Sequence, residues 1–365
     1  MANNNIIPQM EPWFGEEEKK AVCDYMDEGG WITEFKRTQR FEEMIANYTG
    51  AKHCIVVNNG TISLTLAALA SGISYGDEVI VPNYTMIATP NSIKMIGAVP
   101  VFVDVEAETL CLDINLVEKA ITDKTKAIML VTANGRYPKA GINAFVELCQ
   151  KHNLILIEDA AQSLGSKYPD GRHQGTVGVI GSFSFSSPKV ISTGQGGALI
   201  TNDDNIVLKL RRLKDFGRSG GGLDIHESIG YNFKFTELQA CIGIEQMKKL
   251  EWRVERKKEI LKLYMEKLKD VKEIKFFAQD LVNTTPWFID VFAEKRDELQ
   301  KYLKENNISS RVMYPPINKQ IAYQIQGEHP VSNKVGTNGL WLPSSCKLSN
   351  IDVERICSII KKYYQ

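Results

Sequence analysis

The chain has 365 residues, of which 43% are hydrophobic and 24% are charged, a composition typical of a globular protein with one large domain and a smaller one. Its 44 basic and 44 acidic residues give a formal net charge of zero, and no basic block stands out. Nothing in the charge therefore favours nucleic acid or an anionic membrane surface as a partner, and small molecules become the expected ligands.

Cysteine usage and the N-terminal stretch indicate where the protein works. The seven cysteines are scattered without a CxxC pair, and no histidines stand at a metal-ligand spacing, so we predict free thiols, a reducing compartment and no metal site. The start of the chain, MANNNIIPQM, lacks a basic region followed by an apolar run, and no apolar run approaches the roughly 20 residues that span a bilayer. These features predict a cytoplasmic protein without membrane contact.

From about residue 51 to residue 157, short apolar runs alternate with amphipathic stretches. Because such alternation with nearly continuous apolar strands is typical of α/β proteins, it predicts a mostly parallel sheet covered by helices on both faces. The predicted strands are His53–Val57, Glu78–Val81, Val99–Val103, Ala127–Val131 and Leu154–Ile157, and the helices between them are Thr61–Ser71, Thr85–Ile96, Ile114–Ile121 and Ile142–His152.

The pattern changes after residue 157. Two predicted strands, Val179–Phe185 and Ala198–Thr201, are joined through the sequence GQGG in a hairpin-like arrangement, and a long charged helix follows over Ile244–Leu268. The remaining chain predicts a compact α+β unit with the segments Trp287–Val291, Arg296–Asn306, Ser310–Val312 and Ile351–Tyr364. We therefore predict a large domain over residues 1–250, including the N-terminal segment, and a small C-terminal domain over residues 251–365.

Lys189 is the one charged residue between Arg172 and Asp203, in a segment of strand-like and turn-like composition. It is either a structural lysine whose ammonium reaches water or a catalytic amine. Burial disfavours the ammonium and can lower a lysine pKa by roughly 3–5 units, which leaves a neutral amine able to form an imine with an aldehyde. Pyridoxal phosphate (PLP) is the commonest aldehyde of this kind in enzymes.

PLP requires further partners, and the sequence offers one for each. Asp159, at the end of the apolar strand, would emerge where open α/β sheets bind ligands and could pair with the ring nitrogen, although it could also cap a helix. Asn58-Asn59-Gly60-Thr61 could present helix N-terminal amides to the phosphate, with Ser184 as a further hydroxyl, although NNGT is also an ordinary turn and cap.

Taken together, several long blocks in order resemble the DegT/DnrJ family, the PLP-dependent sugar aminotransferases of fold type I. They are GWIT (30–33), NNGTISLTLAALASGISYGDEVIVPNYTMIAT (58–89), GAVPVFVDV (97–105), EDAAQSLGS (158–166), FSFSSPKVISTGQGGALITND (183–203) and GYNFKFTELQACIG (230–243). The resemblance implies the aspartate aminotransferase-like fold, with a large α/β domain and a small α+β domain.

The resemblance also implies roles for individual residues. Lys189 would attach to the PLP aldehyde, Asp159 would pair with the ring nitrogen, and Gln162 would lie near the ring hydroxyl. The phosphate would be held by Gly60, Thr61 and Ser184, with Asn232 of the GYN block reaching the cofactor of the other subunit in a homodimer. Without the family match, Asn232 is simply a turn residue after Gly230.

Three blocks depart from the usual family pattern. The aromatic residue expected to cover the PLP ring is replaced by Met86, with Tyr84 two positions earlier; the glutamate of the GEGG turn is Gln195; and VTANGRYPKAG (131–141) replaces a VHLYGH-like stretch. The ring cover and the substrate preference are the properties that these departures affect.

The implied reaction transfers the amino group of L-glutamate, in two half-reactions, to a nucleotide-linked 4-keto-6-deoxyhexose. The chain is similar to the perosamine synthase type within the family, which implies amination at C4 to give a sugar such as perosamine or viosamine, with the nucleotide (GDP, UDP or dTDP) left open. Amination at C3 and a non-catalytic regulator or scaffold are the alternatives, and the lysine and aspartate argue against the scaffold. Family precedent places the sugar nucleotide near Trp31, Thr33, Arg311 and Tyr314, although Arg311 is equally an ordinary strand-end arginine.

Overall fold

The computed structural model describes residues 6–220, 224–323 and 327–365, so that residues 1–5 and 221–223 of the predicted large domain lie outside the described residues. The architecture consists of two sheets with helices packed on them. None of the helices in the described ranges combines the length and the apolarity required to cross a membrane.

The first sheet has seven strands in the order β1-β7-β6-β5-β4-β2-β3. Only β7, the last strand of this sheet in chain order, runs antiparallel to its neighbours β1 and β6, and the other four pairings are parallel. The predicted mostly parallel sheet is confirmed, as is the antiparallel pair on either side of GQGG. The strands are β1 (His53–Val57), β2 (Glu78–Pro82), β3 (Val99–Val103), β4 (Thr125–Val131), β5 (Ile155–Asp159), β6 (Ile180–Ser184) and β7 (Gly197–Thr201).

Helices cover both faces of this sheet because successive strand residues point to opposite sides. In β1, Ile55 and Val57 pack into a core shared with helix α3, whereas Cys54 and Val56 pack into a core shared with α2 on the other face. The helices of this part are α1 (Glu16–Glu28), α2 (Lys36–Thr49), α3 (Gly60–Ala70), α4 (Ala88–Lys94), α5 (Ile114–Ala120), α6 (Gly141–His152), α7 (Asp204–Lys214) and α8 (Glu237–Lys248).

The second sheet is antiparallel and has four strands in the order β10-β11-β9-β8. One core joins it to α9, α10 and α12, and Ile7 of the N-terminal segment belongs to the same core through a bridge to Ile308. Its strands are β8 (Ile274–Phe276), β9 (Ile289–Ala293), β10 (Arg311–Val312) and β11 (Gly339–Leu342), and its helices are α9 (Leu250–Lys267), α10 (Arg296–Glu305), α11 (Pro330–Asn338) and α12 (Asn350–Tyr364).

Helix α9 connects the two parts of the chain. Leu250 and Val254 in its first half pack into the core of the large sheet, whereas Ile260 and Tyr264 in its second half pack against the small sheet. The predicted domain boundary between residues 250 and 251 falls at the start of this helix and stays a prediction.

Two predicted helices differ from those observed. The helix predicted over Ile244–Leu268 is two helices, α8 and α9, which meet at Lys249 (φ −99°, ψ −1°), the residue that follows the one and precedes the other. The Lys249 ammonium bonds Glu18 at 2.8 Å. The helix predicted from Thr85 begins at Ala88, and Thr85 and Met86 instead form part of a cavity wall.

Candidate active site

A cavity of about 600 Å³ opens at the carboxyl ends of the strands of the large sheet. Asp159 ends β5, Gly60 lies three residues beyond the end of β1 and Thr85 three residues beyond the end of β2, so the topology brings these positions together. The volume lies in the usual range for small-molecule sites, about 300–1,000 Å³. Nine of the residues predicted from the sequence line it: Gly60, Thr61, Met86, Asp159, Gln162, Ser184, Lys189, Arg311 and Tyr314.

Lys189 lies in the loop between β6 and β7, with its side chain on the cavity wall. The backbone of this loop is ordered by hydrogen bonds from the Lys189 amide to the Ser186 carbonyl (3.0 Å) and from the Thr193 amide to the Phe185 carbonyl (3.0 Å). Burial lowers the pKa of Lys189 to about 8, although the charge of Asp159 acts in the opposite direction. The amine is therefore partly neutral near physiological pH, as a nucleophile requires.

Asp159 is 5% exposed and accepts a hydrogen bond from the Thr89 hydroxyl (2.7 Å) and one from the Ala161 amide (3.2 Å). Because the Thr89 proton is engaged with Asp159, the Thr85 hydroxyl must be the donor in its 2.8 Å contact with Thr89. Burial raises the pKa of Asp159, and the Thr89 hydrogen bond opposes this rise. No helix follows Asp159, so the alternative of a helix cap does not apply.

The N-terminus of α3 faces the same cavity. The Asn59 side chain caps the helix by accepting from the Ile62 amide (2.9 Å), and the first intrahelical bond runs from Ser63 to the Asn59 carbonyl. The amides of Gly60 and Thr61 therefore precede the helical ladder and carry the positive end of the helix dipole. Gly60 packs so closely on Ser184 that a Cβ atom at position 60 would lie 2.8 Å from the Ser184 Cβ.

Four predicted residues line other parts of the wall. The amide of Asn134 donates to the Gln162 side-chain oxygen (2.7 Å), which fixes the amide side chain at the cavity. The Arg311 guanidinium lies over the rings of Tyr314 (5.9 Å) and Trp341 (5.5 Å). Met86 is 43% exposed at the cavity, whereas Tyr84 is buried in the core, so of the two residues considered for the ring cover the structure places Met86 at the site.

The other three predicted residues do not line this cavity in the described part of the chain. Trp31 is 68% exposed, Thr33 pairs with Thr236, and Asn232 is exposed and pairs with Asp215. The backbone next to Asn232 is nevertheless close to the start of α3, because the Asn58 amide donates to the Phe233 carbonyl (3.3 Å).

Several residues at the cavity were not assigned to it from the sequence. Trp287, which the sequence indicated only as the start of a strand, faces Lys189. Thr89, which the sequence indicated only as part of a helix, donates a hydrogen bond to Asp159. The four-residue spacing of Thr85 and Thr89 is the one local sequence signal for their contact. Behind the cavity wall, Asn134, whose backbone amide bonds Gln162, makes two hydrogen bonds to the backbone of Phe288, at 2.9 Å and 2.6 Å.

Side chains of the segment VTANGRYPKAG hold the two sheets together, through Asn134 and through Arg136. Two residues after Asn134, Arg136 makes a buried two-point ion pair with Asp290, at 2.7 Å and 3.1 Å. No sequence pattern announces this pair, because Asp290 lies in the second sheet, far along the chain.

Comparison with known proteins agrees with this geometry. Residues 13–361 match the DegT/DnrJ/EryC1/StrS aminotransferase family. A GDP-perosamine synthase of Escherichia coli O157:H7 is 36% identical over 362 residues, which cover 98% of either chain.

Two solved structures are similar over nearly the whole chain. DesV from S. venezuelae, in complex with a ketimine intermediate, is 30% identical with a TM-score of 0.90, covering 96% of this chain and 95% of that one. The sugar aminotransferase Spr1654 from Streptococcus pneumoniae, described as putative and solved in its PMP form, is 26% identical with a TM-score of 0.91, covering 98% and 97%. The fold, the full-length match and the cavity chemistry lead to one conclusion: this chain belongs to the DegT/DnrJ/EryC1/StrS aminotransferase family.

Proposed function

We propose that the cavity binds PLP and that the protein transfers the amino group of L-glutamate to a nucleotide-linked 4-keto-6-deoxyhexose. The nucleotide that we propose is GDP. The observation that carries this proposal is the presence of an amine of lowered pKa, a buried carboxylate and a helix N-terminus in one cavity. These groups match the aldehyde, the ring nitrogen and the phosphate of PLP, respectively.

The residues present fit this cofactor. Lys189 would hold the aldehyde carbon covalently, and Asp159 would accept a hydrogen bond from the protonated ring nitrogen. The amides of Gly60 and Thr61, with the Ser184 hydroxyl, would bind the phosphate. Because a side chain at position 60 would collide with Ser184, glycine stands there and the helix end stays open to the phosphate. Gln162 and Met86 would lie along the ring, where a methionine can give dispersion and sulfur–aromatic contacts.

When bound, PLP supplies an electron sink for the carbon that loses its proton. Lys189 would move the proton, because its neutral amine would accept the proton of the amino-acid carbon. A positioned general base of suitable pKa contributes roughly 10²- to 10⁴-fold to the rate. Asp159 would keep the ring nitrogen protonated, and the hydrogen bond from Thr89 holds this carboxylate in place.

The acceptor sugar is inferred from the relatives and from the rim of the cavity. The E. coli relative is named for GDP-perosamine, a name that favours a GDP-linked substrate and amination at C4. Arg311 projects from the small sheet and is a cation suited to a diphosphate, while Tyr314 gives a flat surface beside it. We propose that Trp31 and Thr33 act on the substrate of a neighbouring subunit, since they lie away from this cavity.

The proposal is tested by offering GDP-, UDP- and dTDP-linked 4-keto-6-deoxyhexoses with glutamate and PLP. We expect 2-oxoglutarate to form together with a GDP-linked 4-amino-4,6-dideoxyhexose, identified by mass spectrometry and by NMR assignment of the aminated carbon. Amination at C3, or turnover with only UDP or dTDP sugars, would contradict the proposed substrate, and the absence of any amination would contradict the proposed reaction. A cytoplasmic location stays a prediction, supported by the seven free cysteines.

We also propose a homodimer in which Asn232 of one subunit binds the phosphate in the cavity of the other. The exposure of Asn232 supports this arrangement. Hybrid dimers of a Lys189→Ala chain and an Asn232→Ala chain contain one site with both residues intact and one site with neither. We expect such hybrids to have about half of the wild-type activity, whereas the Lys189→Ala homodimer has none.

The homodimer of Asn232→Ala provides the matched comparison for this experiment. If Asn232 acts within its own subunit, no site in the hybrid is intact, and the hybrid would be no more than half as active as that homodimer. Tandem purification on two different tags isolates the hybrid, and the measurement is 2-oxoglutarate release per dimer.

A further inference from the structure

Trp287 is attached to the Lys189 loop at two points. Its indole Nε1–H donates to the carbonyl of Pro188 (2.7 Å), the residue directly before Lys189. The centre of its ring lies 4.1 Å from the Lys189 Nζ. Although the whole residue is only 2% exposed, Trp287 forms part of the cavity wall.

The indole is also fixed from behind. Phe288 stacks on it with ring centres 3.9 Å apart, and Trp341 meets it edge-on at 5.9 Å. The Trp287 carbonyl accepts a hydrogen bond from the fully buried ammonium of Lys257 in α9 (2.8 Å). The ring therefore presents one face to Lys189 and has little freedom to turn away.

The face of an indole carries partial negative charge and attracts a cation within about 6 Å, more strongly when water is excluded. In the described ranges of the chain, no carboxylate forms an ion pair with Lys189, whereas the Trp287 ring lies within cation–π distance of its ammonium. Burial and the ring act in opposite directions: burial favours the neutral amine, whereas the ring favours the ammonium.

Proton transfer in the proposed reaction requires both the neutral amine and the ammonium form of Lys189. The role inferred below for Trp287 rests on that proposed function. The C–H bond of the amino-acid carbon breaks, its proton forms a bond to the Lys189 nitrogen, and the electron pair passes into PLP. The ammonium must then remain in place until it delivers the proton to the cofactor carbon. We propose that Trp287 is a catalytic residue whose indole face binds the ammonium form of Lys189 between these two transfers.

The test compares Trp287→Phe with Trp287→Leu in the cofactor-free protein. Both changes remove the hydrogen bond to Pro188, but only phenylalanine keeps an aromatic face, so their difference isolates the ring–cation contact. The pKa of Lys189 is obtained from the pH dependence of its acetylation rate, followed on its own peptide by mass spectrometry. We expect the pKa to fall by about one unit in the leucine variant and by less in the phenylalanine variant.

Equal pKa values in the two variants, or no fall from wild type, would overturn the proposal, because a purely structural role does not distinguish an aromatic from an aliphatic side chain of similar size. If the leucine variant does not fold, replacement of all five tryptophans by 5-fluorotryptophan weakens the negative ring face with little change of shape. The pKa of Lys189 should then also fall, and an unchanged value would contradict the proposal. Since both measurements use protein without PLP, their outcome is independent of whether the substrate assignment is right.

Discussion

Replacing Lys189 with alanine is expected to abolish transamination and to prevent covalent attachment of PLP. The variant would lose both the proposed attachment point of the aldehyde and the proposed base, and a base alone is worth roughly 10²- to 10⁴-fold in rate. The measurement is 2-oxoglutarate release from glutamate and the acceptor sugar, together with borohydride reduction of the protein–PLP mixture and mass spectrometry of the labelled peptide. Circular dichroism checks that the variant is folded.

A second lysine in the same chain serves as the control for this labelling. Burial lowers the pKa of Lys257 to about 8, as for Lys189, but Lys257 is fully buried and bonds the carbonyls of Trp287 and Ser344. In the wild-type protein we expect the label on Lys189 alone, since reactivity requires access to the cavity as well as a neutral amine. A label on Lys257, or full activity of Lys189→Ala, would refute the assignment.

The capture of PLP should also depend on pH in a defined direction. The neutral amine is the nucleophile, and burial lowers the pKa of Lys189 to about 8. The rate of imine formation by the cofactor-free protein should therefore rise as pH increases towards 8 and level off above it, whereas an ordinary surface lysine would continue to gain up to pH values above 10.

Replacing Asp159 with asparagine is expected to lower the rate of the half-reaction with glutamate by about 10²- to 10³-fold, the size typical of losing one preorganised charge interaction. Asparagine keeps the shape but cannot stabilise a protonated ring nitrogen. PLP should still attach to Lys189, because the amine is untouched. Single-turnover absorbance measures the half-reaction, and ¹⁵N NMR of labelled PLP reports the protonation of the ring nitrogen.

The burial of Asp159 determines how the rate of the half-reaction with glutamate changes with pH. Burial raises the pKa of Asp159, so the carboxylate becomes protonated, and the activity falls, at a higher pH than for an ordinary aspartate as the solution is acidified. Thr89→Val should move this loss of activity to a still higher pH, because it removes a hydrogen bond to the carboxylate. Thr89→Ser keeps the hydroxyl and should restore the wild-type pH dependence. An Asp159→Asn protein with a normal half-reaction would show that the carboxylate has another role.

The parts of the site that the sequence predicts are those encoded locally. Asp159 ends an apolar run, Gly60 opens a helix after a strand, and Lys189 is the only charge in a long neutral segment, so each position carries its own signal. The parallel strands were predictable for the same reason, since continuous apolar runs mark strands that are buried on both faces.

The remainder depends on contacts between distant segments. Trp287 reaches Lys189 from nearly one hundred residues away, and Arg136 pairs with Asp290 in the other sheet, so neither partner can be identified from its own neighbourhood. The N-terminus of helix α2 depends on such a contact as well: its N-cap residue provides no side-chain cap, and the carboxylate of Glu237 accepts hydrogen bonds from the amides of Phe35 and Arg37.

The passage of α9 through both cores limits how the cavity can open. A helix anchored by Val254 in one core and by Ile260 in the other joins the large sheet to the small sheet through one continuous packed element. We expect a bulky sugar nucleotide to enter past movable loops at the rim, such as the one that carries Met86, while the strands and the lysine behind them stay still. The two sheets would thus form a rigid framework, and adaptation to different acceptor sugars would be confined to the loops at the rim of the cavity.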